Sequence, residues 1–234
     1  PIYTASFLSP AQITPAARAF FDEIYLPYSA SAQDTGIELP PIFLGEDFEA
    51  VWKAAAHAPY ILVHTPGQLM EAVQRGISAR ASLRFNTYNS ETAAVLAAAG
   101  ADCVYLSPEL TLPQMRDLQS PVPKGAVVYG RLPLMLTVRC AVSDGCRSCG
   151  KGCGGILQDR RGVSFPVTGT EKCGNIIWNS VPVYMADRMD AVKNVGITRM
   201  HFLFTTEDAA DCNRIIRAYQ EGTAPTGAIY RMKK

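Results

Sequence analysis

The chain has 234 residues, 48% of them hydrophobic and 18% charged. That is enough for a sizeable core and rules out a disordered tail or a coiled coil. Twenty-two Lys and Arg against 21 Asp and Glu leave a net charge of +1, short of the basic excess of a protein that holds nucleic acid through charge alone.

In chain order, short apolar runs alternate with helical stretches. Strands are predicted at 2–8, 23–26, 41–44, 60–64, 82–86, 102–106 and 126–130, and helices at 10–21, 46–57, 66–75, 90–99 and 112–118. Ser90 reads as an N-cap and Gly100 as a C-terminal stop. No helix is evident between Pro27 and Pro40. From about Leu132 to Pro182 the rhythm gives way to a Cys- and Gly-rich stretch. It resumes with a helix at 184–195, a strand at 200–204 and a helix at 207–221. Thr205 and Thr206 cap that last helix, with Glu207 and Asp208 in its first turn, where the dipole favours negative charge.

Eight strands alternating with helices predict an α/β fold, a (β/α)8 TIM-type barrel, closed or incomplete, with a Cys-rich insertion after the seventh strand. The expected organisation is a first barrel part at 1–131, a metal-binding insertion at 132–182, a closing helix–strand–helix at 183–223 and a tail at 224–234. Chemistry in such barrels sits at the C-terminal strand ends. His64, Asn86, Asn89, Ser107, Glu109, Gly130, Arg131, Phe204 and Thr205 fall there, and the insertion leaves from the same end. The sequence opens on Pro1 rather than Met, so upstream residues are allowed for. No basic-then-apolar leader and no apolar run of roughly 20 residues is visible. The expected location is cytoplasmic, without membrane contact.

Seven cysteines are present, and Cys140, Cys146, Cys149 and Cys153 crowd together, with Cys173 further on. Thiolates spaced C-x2-C reach one metal through a tight turn, and the neighbouring glycines permit it. Arg147 and Lys151 offset thiolate charge. Four thiolates suit structural zinc or an iron–sulfur cluster. Zinc ribbons usually show two C-x2-C knuckles, and one is clear here, which favours iron–sulfur. Cys103 and Cys212 stand alone and read as small buried hydrophobes.

The segment Gly130-Arg131-Leu132-Pro133-Leu134-Met135 followed by Cys140 resembles the signature of the collagenase-like peptidase family, peptidase U-32. The likeness continues through Leu157-Gln158-Asp159-Arg160-Arg161-Gly162, Phe165-Pro166-Val167, Cys173 and Asn179-Ser180-Val181-Pro182. Upstream, Asn86-Thr87-Tyr88-Asn89-Ser90 and Leu106-Ser107-Pro108-Glu109-Leu110 are similar to the family's barrel motifs. The resemblance implies either collagen-degrading activity, without agreed catalytic residues, or a 4Fe–4S cluster supporting oxygen-independent hydroxylation of RNA bases or of a quinone precursor. It also implies cluster ligands at Cys140 and Cys173, completed by Cys146 and Cys149, with Cys153 as an alternate. Hydroxylating members commonly carry a further cysteine near the position of Pro133, which this chain lacks.

No G-x-S-x-G, H-E-x-x-H or P-loop appears. Candidate catalytic residues are Glu109, Arg131 and His201. Candidate substrate contacts are Asn86, Asn89, Glu109 and Arg131. Glu109 serves either as a base or as a partner of the helix start that follows it, Asn89 either as a contact or as a turn former, and Asp159 as half of a local ion pair. Arg131 suits an anionic group. His64 and His201 are candidates to meet at the barrel mouth. The expected substrate is an RNA, a peptide or a small aromatic compound, with a protein partner or electron donor. A non-catalytic, metal-stapled subunit is the remaining alternative.

Overall fold

The computed structural model describes residues 1–42, 48–142, 154–170, 174–224 and 226–233. Strands β1 (Ile2–Phe7), β2 (Glu23–Pro27), β3 (Gly36–Glu38), β4 (Ile61–Val63), β5 (Ala79–Ala81), β6 (Cys103–Tyr105) and β7 (Lys124–Gly130) pair in parallel, each with the next. β8 (Pro133–Thr137), β9 (Gly155–Gln158), β10 (Ser164–Gly169) and β11 (Asn175–Trp178) form a separate antiparallel sheet in the order β8-β11-β10-β9. β12 (Val183–Tyr184) pairs antiparallel with β7. β13 (Arg199–Phe204) then slots between β7 and β1, parallel to both, and closes an eight-stranded barrel.

Helices α1 (Pro15–Phe20), α2 (Phe48–Ala55), α3 (Pro66–Gln74), α4 (Ser90–Ala98), α5 (Leu112–Asp117), α6 (Met189–Asn194) and α7 (Ala209–Glu221) lie between the strands and after β13. Their starts are written in the sequence. Thr14, Thr65, Asn89, Thr111 and Asp208 each accept the backbone N–H three residues on. Each such cap contributes about 1 kcal/mol. The apolar layer between helices and barrel is rich in aromatics: Phe7 and Phe204 stack at 4.8 Å, and Phe21 meets Phe202 edge-on at 5.0 Å.

Several local expectations shift. The first α-helix starts at Pro15, after a 3-10 turn over Pro10–Gln12, and the last starts at Ala209, capped by Asp208 rather than by Thr205 or Thr206. The third strand is Gly36–Glu38, ahead of the expected 41–44, of which 43 and 44 lie outside the described residues; Pro40 and Pro41 have no N–H to give a ladder flanked on both sides. The fifth ends at Ala81, since the Ser82 hydroxyl accepts the Arg84 N–H and starts a 3-10 turn over Leu83–Phe85. The cap of α4 is Asn89, one residue before Ser90. Tyr184 lies in β12, so α6 begins only at Met189. The C-terminal residues run back along the barrel: Tyr230 bridges to Val183, the Lys233 carbonyl accepts the Leu112 N–H at 2.9 Å, and Met232 is buried.

Two glycines make room inside the barrel. A Cβ on Gly36 would stand 2.2 Å from the Tyr60 ring, and one on Gly125 2.5 Å from the Tyr105 ring. The absence of a side chain at both positions lets the two tyrosines fill the lumen, where Tyr25 meets Tyr60 at 5.2 Å.

Candidate functional site

The barrel interior is polar in three tiers, and each tier comes from alternate residues of neighbouring strands. At the N-terminal end, Glu23 accepts the Tyr25 hydroxyl at 2.6 Å, pairs with Arg80 at 3.1 Å and is bonded by Arg199. Arg80 reaches on to Asp102 at 2.8 Å. Burial pushes the Glu23 carboxyl up, but the bonds from Arg199 and Tyr25 and the nearby guanidinium charges bring it below its ordinary value.

The middle tier is a hydroxyl–imidazole chain. Thr4 Oγ1 lies 2.8 Å from both the Tyr105 hydroxyl and His201 Nδ1, and Ser6 Oγ lies 3.3 Å from His201 Nε2. Burial pushes His201 down to about 4, so it is held neutral.

The upper tier sits at the C-terminal mouth. His64 Nδ1 is 2.7 Å from Ser82 Oγ, and its Nε2 faces Glu38 Oε1 at 3.4 Å, an ion-pair separation without hydrogen-bond alignment. Gln68 fixes the His64 backbone by accepting its N–H at 2.7 Å. Burial works to raise the Glu38 carboxyl. The His64 ring, with Ser6 and His201, overrides it and holds Glu38 at about 2.

Two hollows meet at Glu38. The deeper one, of about 30 Å³, is bounded by His64, Ser82, Arg84 and His201 below and by Pro133 and Trp178 above, and has room for a single water. The larger, about 250 Å³, is a cleft between the mouth and the four-stranded sheet. Phe7, Tyr28, Leu39 and Pro40 wall it on the barrel side, and Thr168, Thr170 and Ile176 on the other. The sheet is held together internally by the Trp178 Nε1 bond to Thr168 Oγ1 at 2.8 Å, and it is fastened to the barrel by Arg131, whose Nη1 donates to the carbonyls of Asn179, at 2.9 Å, and Ser180.

The sequence-derived candidates separate in space. His64 and His201 line the same deep hollow. Asn86 is exposed, with φ of 50°, at the end of the 3-10 turn. Asn89 is spent on the Thr92 N–H as a helix cap. Glu109 is exposed beside Ser107, to whose hydroxyl its N–H donates at 3.4 Å. Neither hollow is lined by Asn86, Asn89, Glu109 or Arg131. Asp159 accepts the N–H groups of Arg161 and Val163 at the β9–β10 hairpin and so orders that turn through the backbone; among the described residues it makes no ion pair. Burial pushes the Cys103 and Cys212 thiols up to about 12. Cys140 is half-buried and free. Cys146, Cys149, Cys153 and Cys173 lie outside the described residues, among which no cluster of three or more metal-ligating side chains occurs.

Sequence reasoning missed Glu38, Ser6, Ser82 and Arg84. A signal for part of the set existed: in β1 and β13, Thr4, Ser6, Arg199 and His201 alternate with apolar residues. In a strand whose outer face lies under helices, such polar positions must point into the lumen. Glu38 had no such signal, because its strand spans only three residues.

The model of the family described as Peptidase family U32 matches residues 53–223. No curated protein matches the chain. Among solved structures, a cube-shaped, highly porous protein cage designed by fusing symmetric oligomeric domains is similar at 13% identity, with a TM-score of 0.48 over 94% of this chain and 73% of that one. The spore cortex-lytic enzyme SleL of Bacillus megaterium QM B1551 is similar at 11% identity, with a TM-score of 0.42 over 100% of this chain and 75% of that one. Among the described residues, no helix is long and apolar enough to cross a membrane.

Proposed function

Because the chain belongs to peptidase family U32, we propose that it is a barrel enzyme whose clustered cysteines hold a 4Fe–4S cluster and that it supports oxygen-independent hydroxylation, or a related redox modification, of an RNA base or a small aromatic compound. The observation that carries this reading is the junction beside Cys140. The next residue, Ala141, donates its N–H to Asn175 Oδ1, and Gly174 lies so close to the Thr137 carbonyl that a Cβ would stand 2.3 Å from it. Asn175 follows Cys173 by two residues in sequence. The chain flanking both cysteines is thus stitched together at the edge of the sheet that roofs the cleft. A soft thiolate set of this kind fits an iron–sulfur centre.

When bound, such a cluster supplies one-electron transfer. The chain's own residues do the rest. The cleft takes a single ring against Phe7, Tyr28 and Ile176 and shields it from water. Glu38 accepts a hydrogen bond from it, and His64 and Ser82 orient Glu38.

Peptide cleavage is the second reading, and Ser82, His64 and Glu38 do stand in series. Ser82, however, is 3% exposed and opens onto a hollow of only about 30 Å³, too small for a scissile peptide. Anaerobically prepared Cys140→Ser and Cys173→Ser proteins should lose most of their iron, while Cys103→Ala and Cys212→Ala retain it. Full iron in Cys140→Ser would contradict the ligand assignment. Gelatin cleavage abolished by Ser82→Ala in a folded protein would favour the peptidase instead.

A further inference from the structure

Among the described residues lining the mouth cleft, one side chain is charged: Glu38. The remaining lining is apolar, from Phe7 and Leu39 to Ile42 and Ile176, or hydroxylic, at Tyr28, Ser29, Thr168 and Thr170. An ionised carboxylate accepts hydrogen bonds and donates none. Set among apolar walls, it rewards a donor and penalises a second anion more strongly than it would in open water.

The inner side of Glu38 is committed. Ser82 Oγ accepts the Arg84 N–H at 3.2 Å, which leaves its own proton for His64 Nδ1 at 2.7 Å. The ring proton then belongs on Nε2, facing Glu38 Oε1 at 3.4 Å, a tautomer assigned from the surrounding network. Arg84 lines the deep hollow, not the cleft; among the described residues it makes no ion pair at contact distance with Glu38, though the carboxylate charge acts on its guanidinium from across the hollow. The carboxylate is therefore steadied from behind, while 30% of its side chain stays exposed.

We propose that Glu38 makes this cleft a receptor for a planar ligand end that offers paired N–H donors and no negative charge: an amidine, a guanidine or an aminopyridine-type ring. Two N–H groups on one planar edge match a carboxylate in the way an arginine fork does. The volume of about 250 Å³ admits one such ring between the barrel mouth and Ile176. The inference rests on reading the cleft as the substrate site. It concerns binding alone, so loss of the iron assignment would leave it standing, and its own failure would leave the iron assignment untouched.

The test is calorimetric titration of the full chain with benzamidine, benzamide and benzoate, which share a ring and differ in charge. Benzamidine should bind, benzamide more weakly, and benzoate not at all. Glu38→Gln, with folding verified by its melting curve, should weaken benzamidine by about tenfold or more and leave benzamide nearly unchanged. Ile176→Trp, which fills the cleft from the sheet side, should abolish binding of both and so locate the site. If Glu38→Gln does not fold, the ranking of the three probes on the unaltered protein decides. Benzoate binding as well as benzamidine, no binding by any probe, or benzamidine affinity indifferent to Glu38→Gln would each overturn the proposal.

Discussion

His201 shows what a barrel lumen does to one residue. Both ring nitrogens meet hydroxyls, Tyr105 and Tyr25 pack on it, and Glu38, Glu23, Arg199 and His64 surround it. Burial holds its folded value near 4 against an ordinary 6.5. Between those limits the unfolded chain binds the proton and the folded chain does not. Stability is therefore unaffected above pH 6.5 and falls as pH drops towards 4, by about 3 kcal/mol. Glu38 acts lower down: its contribution is full above the ordinary carboxylate value of 4.5 and is lost as pH falls to about 2. Denaturant unfolding across the acid range should show His201→Gln abolishing the upper slope and keeping the lower one. A slope unchanged in His201→Gln would show that another group carries it. Gly125→Ala tests the lumen sterically. Its Cβ meets the Tyr105 ring, and a loss of about 1–3 kcal/mol is expected from overpacking; a neutral result would mean the ring has room to yield.

The elements were legible in unequal measure. The helix start at Thr65-Pro66 carries its own capping chemistry and was readable locally, whereas at Thr14 and Asp208 the caps lie inside the expected helices. Strand positions were not, where burial and prolines competed: the apolar run after Pro40 looked like a strand, yet the ladder needs N–H groups and settled on Gly36–Glu38. Asn89 caps locally, one residue before the expected Ser90, whereas the role of Arg131 depended on distant partners the local sequence does not reveal. Asn89→Ala should lower stability by about 1 kcal/mol as a lost cap and leave benzamidine binding alone; reduced binding would restore a direct contact. Arg131 joins the end of β7 to the carbonyls of Asn179 and Ser180. Arg131→Met should cost about 1–3 kcal/mol, and limited proteolysis should cut first within 132–182. Unchanged protection there would argue that the β12 pairing with β7 suffices.

For the whole molecule, the alternation of strand and helix was enough to foresee the barrel, because only a parallel sheet accommodates so many crossovers. Closure was not readable, since it depends on β13 fitting between β7 and β1. Nor was the roof: β8 to β11 pack an antiparallel sheet over the mouth and create the cleft at Glu38. The cysteine run was plain in sequence because ligand spacing is a local property. Glu38 was not, because its importance comes from neighbours on other strands. Metal analysis with a visible spectrum, on protein purified without air, tests the proposed centre most directly. A brown protein with about four irons per chain and a broad absorption bleached by reductant is the expected result; a colourless protein carrying zinc, or no metal at all, would contradict it.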